Sequence, residues 1–122
     1  MSLRTLALLS GIYDLLLGLP LLLAAPQVAR VFGAPPPVPV VNAWLNGVFV
    51  LALALGYFWA ARDVAARRGY LWVAGVFAKG LGAVVFVVDH LLNGSPPAFL
   101  LFAATDGTLC LVTLALLKRR EA

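Results

Sequence analysis

The amino-acid sequence predicts an all-α integral membrane protein, a four-helix bundle built from two repeated helical hairpins with both ends on the cytoplasmic side. Three observations carry that expectation. Of 122 residues, 63% are apolar and 11% charged, against about 25% charged in an ordinary soluble domain. The apolar residues gather into four runs, each of about 20 residues, the length that crosses a bilayer. The basic residues fall almost wholly on one side of those runs. A soluble domain this small has too much surface for its volume to hide so much apolar area, whereas a bilayer solvates it.

The spans run at about 5–25, 38–61, 69–92 and 97–117 and form one transmembrane domain, 1–122. The first run offers Arg4 and Ala24-Ala25 as a minimal signal-peptide pattern. It is long for a signal core and carries Asp14, so it is expected to stay as a span. Outside the spans, Arg4, Arg62, Arg67, Arg68, Lys118, Arg119 and Arg120 share one side, and Arg30 alone takes the other. That bias places the termini and the second loop in the cytoplasm. Tyr57, Trp59, Tyr70 and Trp72 are expected to anchor the inner interface. In the outer loop 27–37, the stretch from Gln27 to Phe32 suits a short interfacial turn, with Val28, Val31 and Phe32 toward lipid. Gly33 to Pro39, with four prolines, must be a rigid extended link. The net charge of +4 sits in short clusters between apolar runs, which does not suit a nucleic-acid partner. The single cysteine, Cys110, can make no intrachain disulfide.

The halves of the chain resemble each other. Gly11-Ile-Tyr-Asp-Leu-Leu-Leu-Gly18 aligns with Gly75-Val-Phe-Ala-Lys-Gly-Leu-Gly82, and Pro36-Pro37 with its downstream Asn46-Gly47 aligns with Pro96-Pro97 and Asp106-Gly107. Two hairpin repeats, about 5–61 and 69–117, would each cross the membrane twice and enter from the same side, which puts their symmetry axis along the membrane normal.

Each span carries one seam of small and polar residues at helical spacing. In the first it is Ala7, Gly11, Asp14 and Gly18; in the second Asn42, Asn46, Phe49, Leu53 and Gly56. In the third it is Gly75, Lys79, Gly82, Phe86 and Asp89; in the fourth Ala103, Asp106, Cys110 and Thr113. The seams are expected to face a common centre, with Gly11, Gly18, Gly75 and Gly82 allowing close helix approach. Asp14, Lys79 and Asp106 lie near the middle of their spans and should meet at the bilayer midplane. An unpaired ion at a helix centre costs about 2.5–3.5 kcal/mol, so Lys79 is expected to pair with Asp106 on the adjacent helix or with Asp14 across the repeat axis. Asn46 is the expected neutral hydrogen-bond partner. One lysine cannot neutralise two aspartates, so one carboxyl should hold a proton, or face water or a cation. Asp14 is the expected one, because Leu15 to Leu17 offer it no donor. The same cluster could serve only to fix helix register.

Other signals are weaker in chemistry. Asp89 and His90 are candidates for a metal site or proton access point, but adjacent helical residues point about 100° apart and cannot chelate together unaided. Cys110 in an apolar run suits packing better than thiolate chemistry. The sequence contains no phosphate loop, no nucleophile with its base and no metal-ligand cluster, so it assigns no reaction to the chain, leans away from an enzyme without settling it, and leaves any cofactor unknown.

The layout, with Gly11, Gly18, Lys79 and Gly82, resembles the short four-span bacterial membrane proteins of the DoxX-like kind. That resemblance implies a place in a bacterial cytoplasmic membrane and an association with membrane redox chemistry, although the paired cysteines of some relatives are missing. A carboxylate in the first span is also similar to the small multidrug resistance transporters, whose antiparallel dimers the one-sided basic residues do not suit. The expected function is an accessory or assembly subunit docking onto a larger membrane protein, a quinone-linked redox enzyme being one candidate, through its polar, glycine-lined seam. The alternatives are a proton-coupled carrier or ligand binder using Asp14 with Lys79 and Asp106, and a self-associating scaffold that forms a homo-oligomer in the lipid bilayer.

Overall fold

The computed structural model describes residues 1–121, with the side chains of residues 1–119; the side chain of Arg120, counted above with the basic residues, lies outside the described residues. The described chain is helical, in five helices: α1 (Leu3–Leu23), α2 (Ala25–Val31), α3 (Val41–Arg62), α4 (Arg68–Asn93) and α5 (Leu100–Glu121), the last led in by a 3-10 turn at Pro97–Phe99. All but α2 are long and apolar enough to cross a membrane, the signature of a multi-pass membrane protein.

Local chemistry sets the helix ends. Ser2 caps α1 by accepting from the Thr5 N–H, which starts the helix at Leu3, two residues ahead of the expected boundary. Pro26 sits in the first turn of α2, where its missing N–H leaves no bond unmade. Gly33, at φ +74°, follows that helix in the left-handed conformation that stops it. The prolines up to Pro39 then delay α3 to Val41, so the second span starts three residues later than the hydropathy suggested. Gly94, at φ +65°, ends α4 and donates its N–H to the His90 carbonyl. Within α4, Leu71–Ala78 is π-helical, with i→i+5 hydrogen bonds in place of i→i+4.

The four long helices pack as two hairpins. In the first, α1 and α3 approach backbone to backbone: a Cβ on Gly47 would lie 2.9 Å from the Leu22 nitrogen and 3.0 Å from the Gly18 oxygen. Gly11 faces the Phe58 ring of the same hairpin. In the second, Gly75 of α4 lies against the Thr113 methyl of α5. Gly82 is less tight, with a Cβ position 3.6 Å from Asp106 Oδ2. The seam reading sends these glycines to a common centre; instead they close each hairpin internally, where the missing side chains let two antiparallel helices approach closely.

The hairpins join at the end that carries Arg4, Arg62 and Arg68. Leu3, Leu6, Ala7, Tyr57, Ala60, Ala61, Leu71, Ala74, Leu116 and Leu117 form the buried core there. Along α4 the burial stops past mid-length, where within Lys79–Asn93 the buried residue is Lys79, while the far half of the first hairpin stays closed around Gly18, Ala43 and Gly47. At the far end Phe32 reaches across from the first loop to Phe99 and Phe102, with ring centroids 5.9 and 4.8 Å apart.

The aromatic residues divide differently from the expected interface belt. Trp59 is 51% exposed and carries the Arg67 guanidinium over its ring at 4.4 Å, as an interface anchor should. Tyr57 is 1% exposed and stacks edge-on with Tyr70. A helical Cα–Cβ bond tilts toward the helix start, and α3 starts at the far end, so Tyr57 leans into the molecule. The Tyr70 hydroxyl donates to the Leu53 carbonyl, in space left by Gly56, where a Cβ would overlap that hydroxyl. Tyr70→Phe should lower stability by about 1 kcal/mol, read from thermal unfolding in mild detergent. An unchanged transition would mean that the Leu53 carbonyl finds another donor.

Candidate functional site

At mid-length, where the core ends, α1, α4 and α5 bring three ionisable side chains together. The Lys79 ammonium donates to Asp14 Oδ1 at 3.0 Å and lies 3.8 Å from Asp106 Oδ1. The first is a charge-assisted hydrogen bond and the second an ion pair beyond bonding distance. The side chains of Lys79 and Asp14 are 7% and 5% exposed, and that of Asp106 is 18% exposed. Of the two pairings open from the sequence, the closer is the one between hairpins. Asp14 therefore does have a donor, supplied by another helix and invisible among its neighbours in the chain.

Two tyrosine rings box the ammonium. Its nitrogen lies 5.1 Å from the Tyr13 ring centroid and 5.6 Å from that of Tyr57, a geometry in which the ring faces attract the cation. Thr105 donates its hydroxyl hydrogen to the Leu101 carbonyl, which leaves its oxygen to accept from the Tyr13 hydroxyl. That bond ties α1 to α5 one residue from Asp106. Sequence reasoning missed Tyr13, Tyr57, Ser10 and Thr105 as members of the site. Ser10 was accessible from spacing alone, four residues before Asp14 on the same helical face; the others depend on which helices touch.

Polar capacity is left over. Asp14 Oδ2, Ser10 Oγ and Tyr57 Oη are buried without a hydrogen-bond partner among the described residues. Buried polar groups are ordinarily paired, so three such oxygens beside one ion cluster mark a place where a proton, a water or a small polar species has acceptors waiting.

Asn46 does not join the cluster. It is exposed and bonds to no side chain there. The contact of Gly47 with Gly18 sets the register: Asn46 lies level with the residues just past Gly18, one to two helical turns and roughly 8 Å beyond Asp14 along the axis. With α3 starting at Val41, the asparagine falls too near the far end. Asp89 and His90 serve their loop. Asp89 accepts from Asn93 at 2.8 Å, and His90 Nδ1 donates to the Ser95 carbonyl at 2.8 Å. Among the described residues no three His, Cys, Asp or Glu side chains gather as metal ligands. Cys110 points its thiol at the Val76 carbonyl at 3.4 Å, beside Gly80, as packing.

The arrangement is a buried lysine shared by two carboxylates. If all three were ionised it would carry one excess negative charge, in a setting where charge is costly. One proton on either carboxyl would remove the excess. Comparison with protein-family models, curated proteins and solved structures returned no match, so the functional reading rests on this site and the fold around it.

Proposed function

We propose that the chain is a proton-handling membrane protein, a small proton-coupled carrier whose working site is Asp14, Lys79 and Asp106. The observation that carries this reading is one ammonium at 3.0 and 3.8 Å from two carboxylates on different helices. Ionisable groups at such depth are expensive and mark proton relays in pumps and transporters. The position supports it too, since the cluster sits where the two hairpins part. With the positive-inside bias, the basic end is cytoplasmic and the far end faces outward, in a bacterial cytoplasmic membrane. Two hairpin repeats in a four-helix bundle then meet at the site, as repeat halves do in many carriers.

Infrared difference spectra of the purified protein between neutral and acid pH test it. One carboxylic-acid band should change with pH and vanish in Asp14→Asn or Asp106→Asn. In liposomes, proton uptake after an acid pulse should fall to that of empty vesicles in Asp14→Asn. Spectra and uptake that neither substitution alters would sink the proposal.

A second reading has its own support. Asn42 and Asn46 are exposed on the far half of α3, on the face that carries Leu53 and Gly56 toward Tyr70 lower down. Amide side chains toward acyl chains are unfavourable, and a partner helix would cover them. On this reading the chain is an accessory subunit docking onto a larger membrane protein, quinone-linked as the DoxX-like resemblance suggests, or a homo-oligomeric scaffold. Co-purification of a companion in mild detergent, lost in Asn46→Leu, would favour it.

A further inference from the structure

We infer that the basic end of the molecule holds a binding site for the phosphate headgroup of an anionic phospholipid. The start of α1, the end of α3 and the loop into α4 enclose a surface cavity of about 410 Å³. Ser2, Arg4, Arg62 and Arg68 supply its polar wall, and Leu3 and Ala61 part of its apolar floor. Among the described residues, its lining thus holds three arginines and no carboxylate. Such a space rejects cations and suits a phosphate, because the planar fork of arginine matches two phosphate oxygens at once.

The wall is prepared rather than collapsed. Arg68 is held in place by donating to the Leu117 carbonyl at 2.8 Å, which couples the cavity to the buried core through Leu117. Arg4 and Arg62 are exposed and make no hydrogen bond or ion pair among the described residues. Arg67, the neighbour in the chain, is committed elsewhere, to the Trp59 carbonyl and ring. The nearest acidic side chain in sequence, Asp63, accepts from the Ala66 N–H.

Depth argues for lipid over a soluble phosphate. The cavity lies at the ends of membrane-crossing helices, level with the exposed Trp59 ring, where a phospholipid headgroup sits. Basic pockets between helices at this level bind anionic headgroups, and the accessible apolar lining at Val64 and Ala65 would meet the first carbons of the lipid.

Native mass spectrometry of the detergent-purified protein, titrated with phosphatidylglycerol, phosphatidylcholine or inorganic phosphate, tests this. Phosphatidylglycerol adducts should dominate over phosphatidylcholine adducts. Each basic residue near an anionic lipid is worth about a factor of five in binding, so Arg4→Gln with Arg62→Gln should weaken the adduct about twenty-five-fold. Arg30→Gln, equal in type of charge lost but at the far end, should leave it unchanged. A matching size-exclusion profile for each variant shows that the fold survives. Equal binding of both lipids, or equal loss in the Arg30 variant, would overturn the site as nonspecific attraction. Displacement by inorganic phosphate at equal concentration would overturn the lipid assignment in favour of a soluble phosphate.

Discussion

Replacing Lys79 with methionine is expected to destabilise the protein by about 3–5 kcal/mol, the usual result of removing one partner from a buried ion pair. Methionine fills similar volume, so the loss comes from charge and not from a cavity. Asp14, 5% exposed, loses the donor at 3.0 Å, and Asp106 loses its counterion at 3.8 Å. Both carboxyls must then take up protons or leave their place, and the junction between hairpins loosens with them. Adding Asp14→Asn to Lys79→Met should recover much of the loss, since an amide needs no counterion. Thermal unfolding of the single and double variants in one detergent measures this. If Lys79→Met melted with the native protein, the ion cluster would have no hold on the fold.

Gly47→Ala is the second large effect, expected at about 1–3 kcal/mol from overpacking. The added methyl would lie 2.9 Å from the Leu22 nitrogen and 3.0 Å from the Gly18 oxygen. Both are backbone atoms of a helix and cannot swing aside, so the first hairpin must spread. Gly107, its counterpart in the proposed duplication, has its nearest neighbour, the Ala83 methyl, at 3.7 Å. Gly107→Ala should therefore be nearly neutral. Equal melting shifts for the two alanine variants would show that the close approach of α1 and α3 is not what holds the first hairpin.

Hydrophobic run length made the four long helices readable, because a membrane-crossing helix must satisfy its backbone internally and present apolar side chains over a fixed length. Counting from the span starts also brought Asp14, Lys79 and Asp106 to one depth. The same counting misplaced Asn46, since the start of α3 is set by the proline link and not by apolarity. It missed Tyr57 too, because proximity to the end of a span suggests an interface while the tilt of the side chain points inward. The π-helical stretch Leu71–Ala78 leaves no pattern in Leu-Trp-Val-Ala-Gly-Val-Phe-Ala that distinguishes it from an α-helix, yet it changes the angular position at which Lys79 emerges. Small residues announced close contact without naming the contacted helix: Gly11 meets Phe58 and Gly75 meets Thr113, choices made by the packing of each hairpin.

The core that welds the hairpins occupies the basic end, and at the opposite end the crossing is made by the ring of Phe32 on Phe99 and Phe102. On the carrier reading proposed above, such a body would work as a clothes-peg: a small rotation about the sealed end would part the ring contact at the far tips, with the lysine and its two carboxylates at the fulcrum. Solvent admitted by such a rotation would reach the cluster from one compartment while the other stayed shut.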